Sequence, residues 1–119
     1  DSHSMYDSNP EATFGYVAEQ LGKRRLAFLC AREYQAADSL GPKLKQLFNG
    51  PYIMNEKFTL QSAETAILKG CADAVAFGKA FIANPDLVKR FSLEAPLNPP
   101  RPETFYGQGA DGYTDYPTL

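Results

Sequence analysis

Read from the amino end, apolar positions first fall into a helical rhythm. Phe14, Val17 and Leu21 recur at i, i+3 and i+7, which predicts one amphipathic helix with a single stripe to bury. Its start is predicted at Ser8-Asn9-Pro10-Glu11: Ser8 and Glu11 have capping-box spacing, and Pro10 suits a first turn, where its missing N–H costs nothing. Its end falls at Gly22-Lys23-Arg24-Arg25, with basic residues at the negative end of the helix dipole.

The rhythm then shortens. Residues 26–31 begin with the continuous apolar run Leu26-Ala27-Phe28-Leu29-Cys30, of strand length, and give way to the charged Arg32-Glu33. Gly41-Pro42 opens a short helix with Leu44, Leu47 and Phe48 on one face, closed by Asn49-Gly50. A second strand, Pro51-Tyr52-Ile53-Met54, runs into Asn55-Glu56-Lys57. Thr59 then caps a helix carrying Leu60, Ala63 and Ile67, with Gly70 past its end. The third apolar run, residues 74–77, stops at Gly78-Lys79. It suits a strand covered on both faces, and periodicity alone also allows a buried helix segment. Asn84-Pro85-Asp86 caps a last helix with Leu87, Val88 and Phe91 as its apolar residues. From Pro96 the period is lost in a proline segment, followed by a tail rich in Gly and Tyr. Such a tail is either disordered or laid over a surface, and its aromatics Phe105, Tyr106, Tyr113 and Tyr116 favour the second.

Strands beginning near Leu26, Tyr52 and Ala74, each followed by a helix, predict parallel α/β architecture, either a slice of a barrel or a doubly wound sheet. Three strands do not close a barrel. A (β/α)8 barrel takes about 250 residues, so this chain supplies less than half of one and its sheet would expose two edges. The chain opens on Asp1, without an initiator methionine or a leading strand, and reads as the middle of a longer fold.

Composition narrows the chemistry. The 119 residues are 44% hydrophobic and 22% charged, within the range of one small globular domain. A net charge of −2 supplies no basic stripe, so neither nucleic acid nor an anionic membrane is expected as a partner. No apolar run approaches the roughly 18 residues of a membrane span, and the expected setting is cytoplasmic. Cys30 and Cys71 lie in or beside apolar runs without ligand spacing and are expected to be reduced core residues. The only histidine, His3, sits in a polar start and is expected to be solvated, so neither histidine catalysis nor a metal site is expected. Arg32 and Glu33, at a strand end, are read as a rim ion pair at least as readily as a catalytic pair. Gly78-Lys79 read alone is either a strand end with a solvated lysine or a place where backbone N–H groups and a cation hold a phosphate.

The run Ala72-Asp73-Ala74-Val75-Ala76-Phe77-Gly78-Lys79, then Phe81-Ile82-Ala83-Asn84-Pro85-Asp86-Leu87, then Phe105-Tyr106-Gly107 and Gly112-Tyr113-Thr114-Asp115-Tyr116-Pro117, resembles the C-terminal third of the Old Yellow Enzyme family. These are FMN-dependent ene-reductases of the N-ethylmaleimide reductase and pentaerythritol tetranitrate reductase type. The resemblance implies a (β/α)8 TIM barrel, with residues 26–31, 52–54 and 74–77 as strands six to eight. Residues 1–95 would then be the partial barrel, helix 5 through helix 8, and residues 96–119 an extension folding over its mouth. It implies FMN as cofactor, NADPH or NADH as reductant and an α,β-unsaturated small molecule as substrate. The phosphate would rest on backbone amides of Glu56 and Lys57 on one side and of Gly78 and Lys79 on the other. Many members carry arginine where Lys79 stands; lysine keeps the charge and loses the bidentate fork. The Glu56 carboxylate, repelled by phosphate, is expected to turn away. Phe105 would lie beside the flavin and Tyr106 beside the substrate. The family's substrate-anchoring and proton-donating residues come from earlier strands and have no counterpart here, so no catalytic residue is assigned. A complementary chain or segment supplying strands one to five is the implied partner. The alternative is a non-catalytic half-barrel that associates with itself or with a complementary chain and binds at most a phosphate.

Overall fold

The computed structural model describes residues 6–119, and the expectation for His3 lies outside the described residues. The chain forms two compact units, one ending at Ala76 and the other Phe77–Leu119, each considered by itself.

The first unit runs α1 (Pro10–Lys23), β1 (Leu29–Arg32), α2 (Gly41–Phe48), β2 (Tyr52–Asn55), α3 (Leu60–Leu68) and β3 (Ala74–Ala76). Its three strands are parallel in the order β1-β2-β3, with Leu29 opposite Tyr52 and Ile53 opposite Ala74. The α/β alternation read from the sequence is therefore the architecture observed, and residues 74–76 form a strand rather than a helix. Ala18, Leu44, Phe48, Tyr52, Met54 and Ala72 make the core. Phe48 is 3% exposed, and burial of such a side chain stabilises by about 1.5–3 kcal/mol. The two helices meet closely. A β-carbon at Gly22 would come within 2.3 Å of the Phe48 carbonyl oxygen, so only glycine fits there.

Polar side chains tie the ends of these elements. The helix α2 has no cap of its own, and the Glu33 carboxylate serves instead, accepting from the Ser39 hydroxyl (2.7 Å), the Leu40 N–H (2.7 Å) and the Gly41 N–H (2.9 Å). The Asp73 carboxylate accepts from the Tyr52 N–H (2.8 Å) and the Lys45 ammonium (3.0 Å), and these bonds hold its carboxyl below the ordinary range. Burial, with the nearby Glu33 charge adding to it, pushes the Tyr52 phenol up to about 12.

Several expectations shift. The cap of α1 is Asn9, whose side chain accepts from the Ala12 N–H, and not Ser8. Its buried positions are Gly15 and Ala18, whereas Phe14 and Val17 of the predicted stripe stay 48% and 42% exposed: small residues admit the neighbouring helix closely, and the large ones face elsewhere. The first strand starts at Leu29, leaving Leu26 and Phe28 exposed outside it. β3 is not covered on both faces, since Ala74 is exposed. Both cysteines are free; Cys30 is exposed and so is not a core residue, whereas Cys71 is half-buried and packs against the core. The Thr59 cap is as expected and forms a reciprocal capping box with Ser62.

The second unit holds α4 (Lys79–Ala83), α5 (Leu87–Ser92) and one 3-10 turn at Pro102–Thr104. Polar bonds to backbone dominate it. Arg90, 4% exposed, donates to Asp86 (2.8 Å), the Pro96 carbonyl (2.6 Å) and the Pro117 carbonyl (2.9 Å). The fully buried Asn84 donates to the Ala80 carbonyl and accepts from the Asn98 N–H (2.7 Å). Asn98 in turn donates to the Ala83 and Pro117 carbonyls. Asp86 also accepts from the Leu119 N–H (2.8 Å), which, ahead of Arg90, holds its carboxyl low. The tail is thus laid on a surface, the surface of α4 and α5.

Candidate functional site

Parallel strands bring their C-terminal ends to one edge, where loops gather side chains that the sheet does not need. In the first unit Arg32 ends β1, Asn55 ends β2 and Ala76 ends β3. Asn55 donates its side-chain amide to the Ala76 carbonyl (2.7 Å), pinning two neighbouring strand ends together. The chain leaves β2 through two consecutive left-handed residues, Glu56 (φ 108°) and Lys57 (φ 56°). Side chains resist this conformation, so the loop is held strained by its surroundings. Two of those surroundings are visible. The Glu56 carboxylate accepts from the Arg32 guanidinium at 2.5 Å, and the Lys57 ammonium stands 4.8 Å from the centroid of the Tyr34 ring. Both side chains of the loop are therefore engaged by residues at or just past the end of β1. The rim ion pair expected between Arg32 and Glu33 is not formed: Arg32 pairs with Glu56, and Glu33 is committed to α2.

In the second unit Gly78 is the N-cap of α4, its carbonyl accepting from the Ile82 N–H at 3.1 Å. No described protein atom lies within 4 Å of where its β-carbon would be, so packing within the chain does not demand glycine at this position. Lys79 begins α4 and is exposed. Phe105 follows the 3-10 turn and is half-buried, whereas Tyr106 is 95% exposed. The predicted residues accordingly form two local groups in the first and second units, Glu56 with Lys57 and Gly78 with Lys79, plus the aromatic pair on its own loop.

Sequence reading missed the polar framework of that loop. Arg101 stacks on Tyr116 at 4.7 Å and bonds Asp111 and Asp115, and Tyr116 is buried. No hydrophobic period announces these residues; the only hint is a lone Arg after prolines facing two later aspartates. Asn55 and Tyr34 were equally silent, being ordinary loop-edge residues in the sequence.

A three-stranded parallel α/β unit of this kind is a segment of a TIM barrel, and solved barrels superpose on it. The old yellow enzyme from Trypanosoma cruzi is 40% identical with a TM-score of 0.90, over 98% of this chain and 32% of that one. Morphinone reductase in complex with tetrahydroNAD is 44% identical with a TM-score of 0.87, over 96% of this chain and 32% of that one. A Leishmania infantum protein named as a probable flavin mononucleotide-dependent alkene reductase is 39% identical over 116 residues, 95% of this chain and 32% of that protein. No family model matches the chain. The chain is homologous to the Old Yellow Enzyme family reductases, and it spans about a third of the length of the relatives it matches. None of the described helices is long and apolar enough to cross a membrane.

Proposed function

We propose that this chain is the part of an FMN-dependent ene-reductase barrel that carries the cofactor's phosphate side and an aromatic lid. The observation that carries this reading is the homology itself, about 40% identity along nearly the whole chain. The local chemistry supports it. With Glu56 drawn to Arg32, the one carboxylate in the loop after β2 is neutralised sideways, and an anion meets backbone instead of a bare negative charge. Lys79 adds an exposed cation at the start of α4, and Gly78 presents backbone without a side chain. These four residues would hold the phosphate, Phe105 would cover the flavin edge and Tyr106 would wall the substrate. Bound FMN supplies a two-electron carrier between NADPH or NADH and an activated, α,β-unsaturated alkene. The chain's own share is binding, orientation and exclusion of water.

The partner in this reading is a segment or chain supplying barrel strands one to five. Its support is a cleft of about 740 Å³ beside β1, with Phe14, Val17, Leu29 and Ala31 among its walls. Exposed Leu26 and Phe28 precede the same strand, which pairs on one side only. A neighbouring strand and helix would bury these apolar side chains. Coexpression with such a complementary segment is expected to give yellow protein with flavin absorbance and turnover of an enone. A colourless assembly that refuses added FMN overturns the reading and leaves a non-catalytic half-barrel.

A further inference from the structure

We propose that Arg101 is a positioning residue, which fixes the loop bearing Phe105 and Tyr106 and thereby sets which alkenes the assembled reductase prefers. The inference rests on the reading above, in which that loop faces the substrate. Its grounds are the bonds that close the loop at its base. The Arg101 backbone N–H donates to the Tyr116 hydroxyl at 2.8 Å, joining the two arms. Its guanidinium spans two carboxylates, meeting Asp111 at 2.8 Å and both oxygens of Asp115 at 2.6 and 2.7 Å. The same plane lies 4.7 Å from the centre of the Tyr116 ring. The Arg101 carbonyl accepts from the Thr104 hydroxyl at 2.8 Å, and Asp115 accepts from the Gly112 N–H at 2.8 Å.

One exposed ion pair does little to fix a chain, because solvent and side-chain entropy compete with it. Here a single planar group turns Nη2 to both oxygens of Asp115, Nη1 to Asp111 and its face to a ring, and its own backbone adds two more ties. Such a fork is rigid in a way that a lysine at the same place is not. The arms also need room to close. Gly112 has φ 70°, and a β-carbon there would sit 1.7 Å from the Thr104 hydroxyl oxygen. Between these fixed points stand Phe105 and the 95% exposed Tyr106, a ring presented outward from a braced base. Arg101 itself touches neither the reacting atoms nor the cofactor in this scheme; it acts through where Tyr106 stands.

The test uses the assembled, flavin-loaded reductase containing this chain, assayed with one small and one bulky enone. Arg101→Gln and Arg101→Lys are expected to shift the ratio of kcat/KM between the two by on the order of tenfold, mainly through KM, with flavin content unchanged. Asp115→Asn, which keeps the shape and removes the anion, is expected to shift the ratio in the same direction, and the double variant to add little to either single one. If Arg101→Gln yields no loaded protein, Asp115→Asn alone must move the ratio. Tyr106→Ala separates the two levels of the argument. A ratio altered by Tyr106→Ala and untouched by the Arg101 and Asp115 variants overturns the positioning role alone. A ratio that Tyr106→Ala leaves unchanged overturns the substrate-facing reading of the loop, and the positioning role with it.

Discussion

The first unit is held by apolar side chains and finished with polar ones; the second is the reverse. Six buried apolar residues pack between α1, α2 and the sheet, and Glu33 and Asp73 then tie down the edges. In the second unit Leu87 and Ala83 are buried, yet the path of the tail is decided by Arg90, Asn84, Asn98 and Arg101. Oil packs in many ways and needs shape to choose among them, whereas a buried guanidinium has a fixed set of donors that must all be met. The contrast teaches that order in a segment without hydrophobic period comes from satisfying a few demanding polar groups.

Mutation can break this contrast. Phe48→Ala is expected to destabilise the first unit by about 3–5 kcal/mol through lost burial and a residual cavity, read by urea unfolding. A cost under about 1 kcal/mol would mean that the core does not hold that unit. Arg90→Met keeps volume and removes the donors, leaving the Pro96 carbonyl unpaired, Asp86 with only the Leu119 N–H and the Pro117 carbonyl with only Asn98, for a loss of about 3 kcal/mol. The expected signature is fast hydrogen exchange at the Leu119 and Asn98 amides, and protection kept there would contradict the polar account of the tail.

Acidity sharpens it further. Tyr52 in the first unit holds its proton to about 12, so stability is full below the unfolded phenol pKa near 10 and falls as pH rises toward 12, by about 2–3 kcal/mol. Asp73 in the first unit, and Asp86 and Asp115 in the second, have depressed pKa values, caused first by the Tyr52 amide, the Leu119 amide and the Arg101 guanidinium respectively. Their contribution is present above an unfolded pKa of about 4 and is lost as pH falls below it. Denaturation followed across pH is expected to show the alkaline loss in the first unit and an acid loss in both. The smallest effect concerns backbone alone. Arg25 (φ 54°) and Glu94 (φ 50°) sit left-handed just past helix ends, and glycine at either is expected to stabilise by about 1 kcal/mol in thermal unfolding.

The same contrast explains what could be read from the sequence. The βα alternation and the α2 face of Leu44 and Phe48 were legible because burial leaves a period, and the Thr59 cap because a hydroxyl before an apolar run marks a helix start. The stripe of α1 misled, since the small Gly15 and Ala18 take the buried face and Phe14 and Val17 stay half exposed among the described residues. Glu56 and Lys57 were singled out through family likeness alone; their left-handed backbone has no signature in residues that are not glycine. Arg101 left only the hint of a lone cation ahead of two aspartates, and the buried links of Asn84 and Asn98 left none, because their partners are mostly backbone carbonyls and amides, which every residue carries.

The register of the sheet also bears on how the chain is made. Leu29 faces Tyr52 and Ile53 faces Ala74, so each strand finds its neighbour after about 20 residues of intervening chain. Every new strand therefore needs only the one before it as a template. A ribosome releasing the chain in order would let β2 dock on β1, and β3 on β2, before anything further had emerged, so the sheet can lengthen one rung at a time.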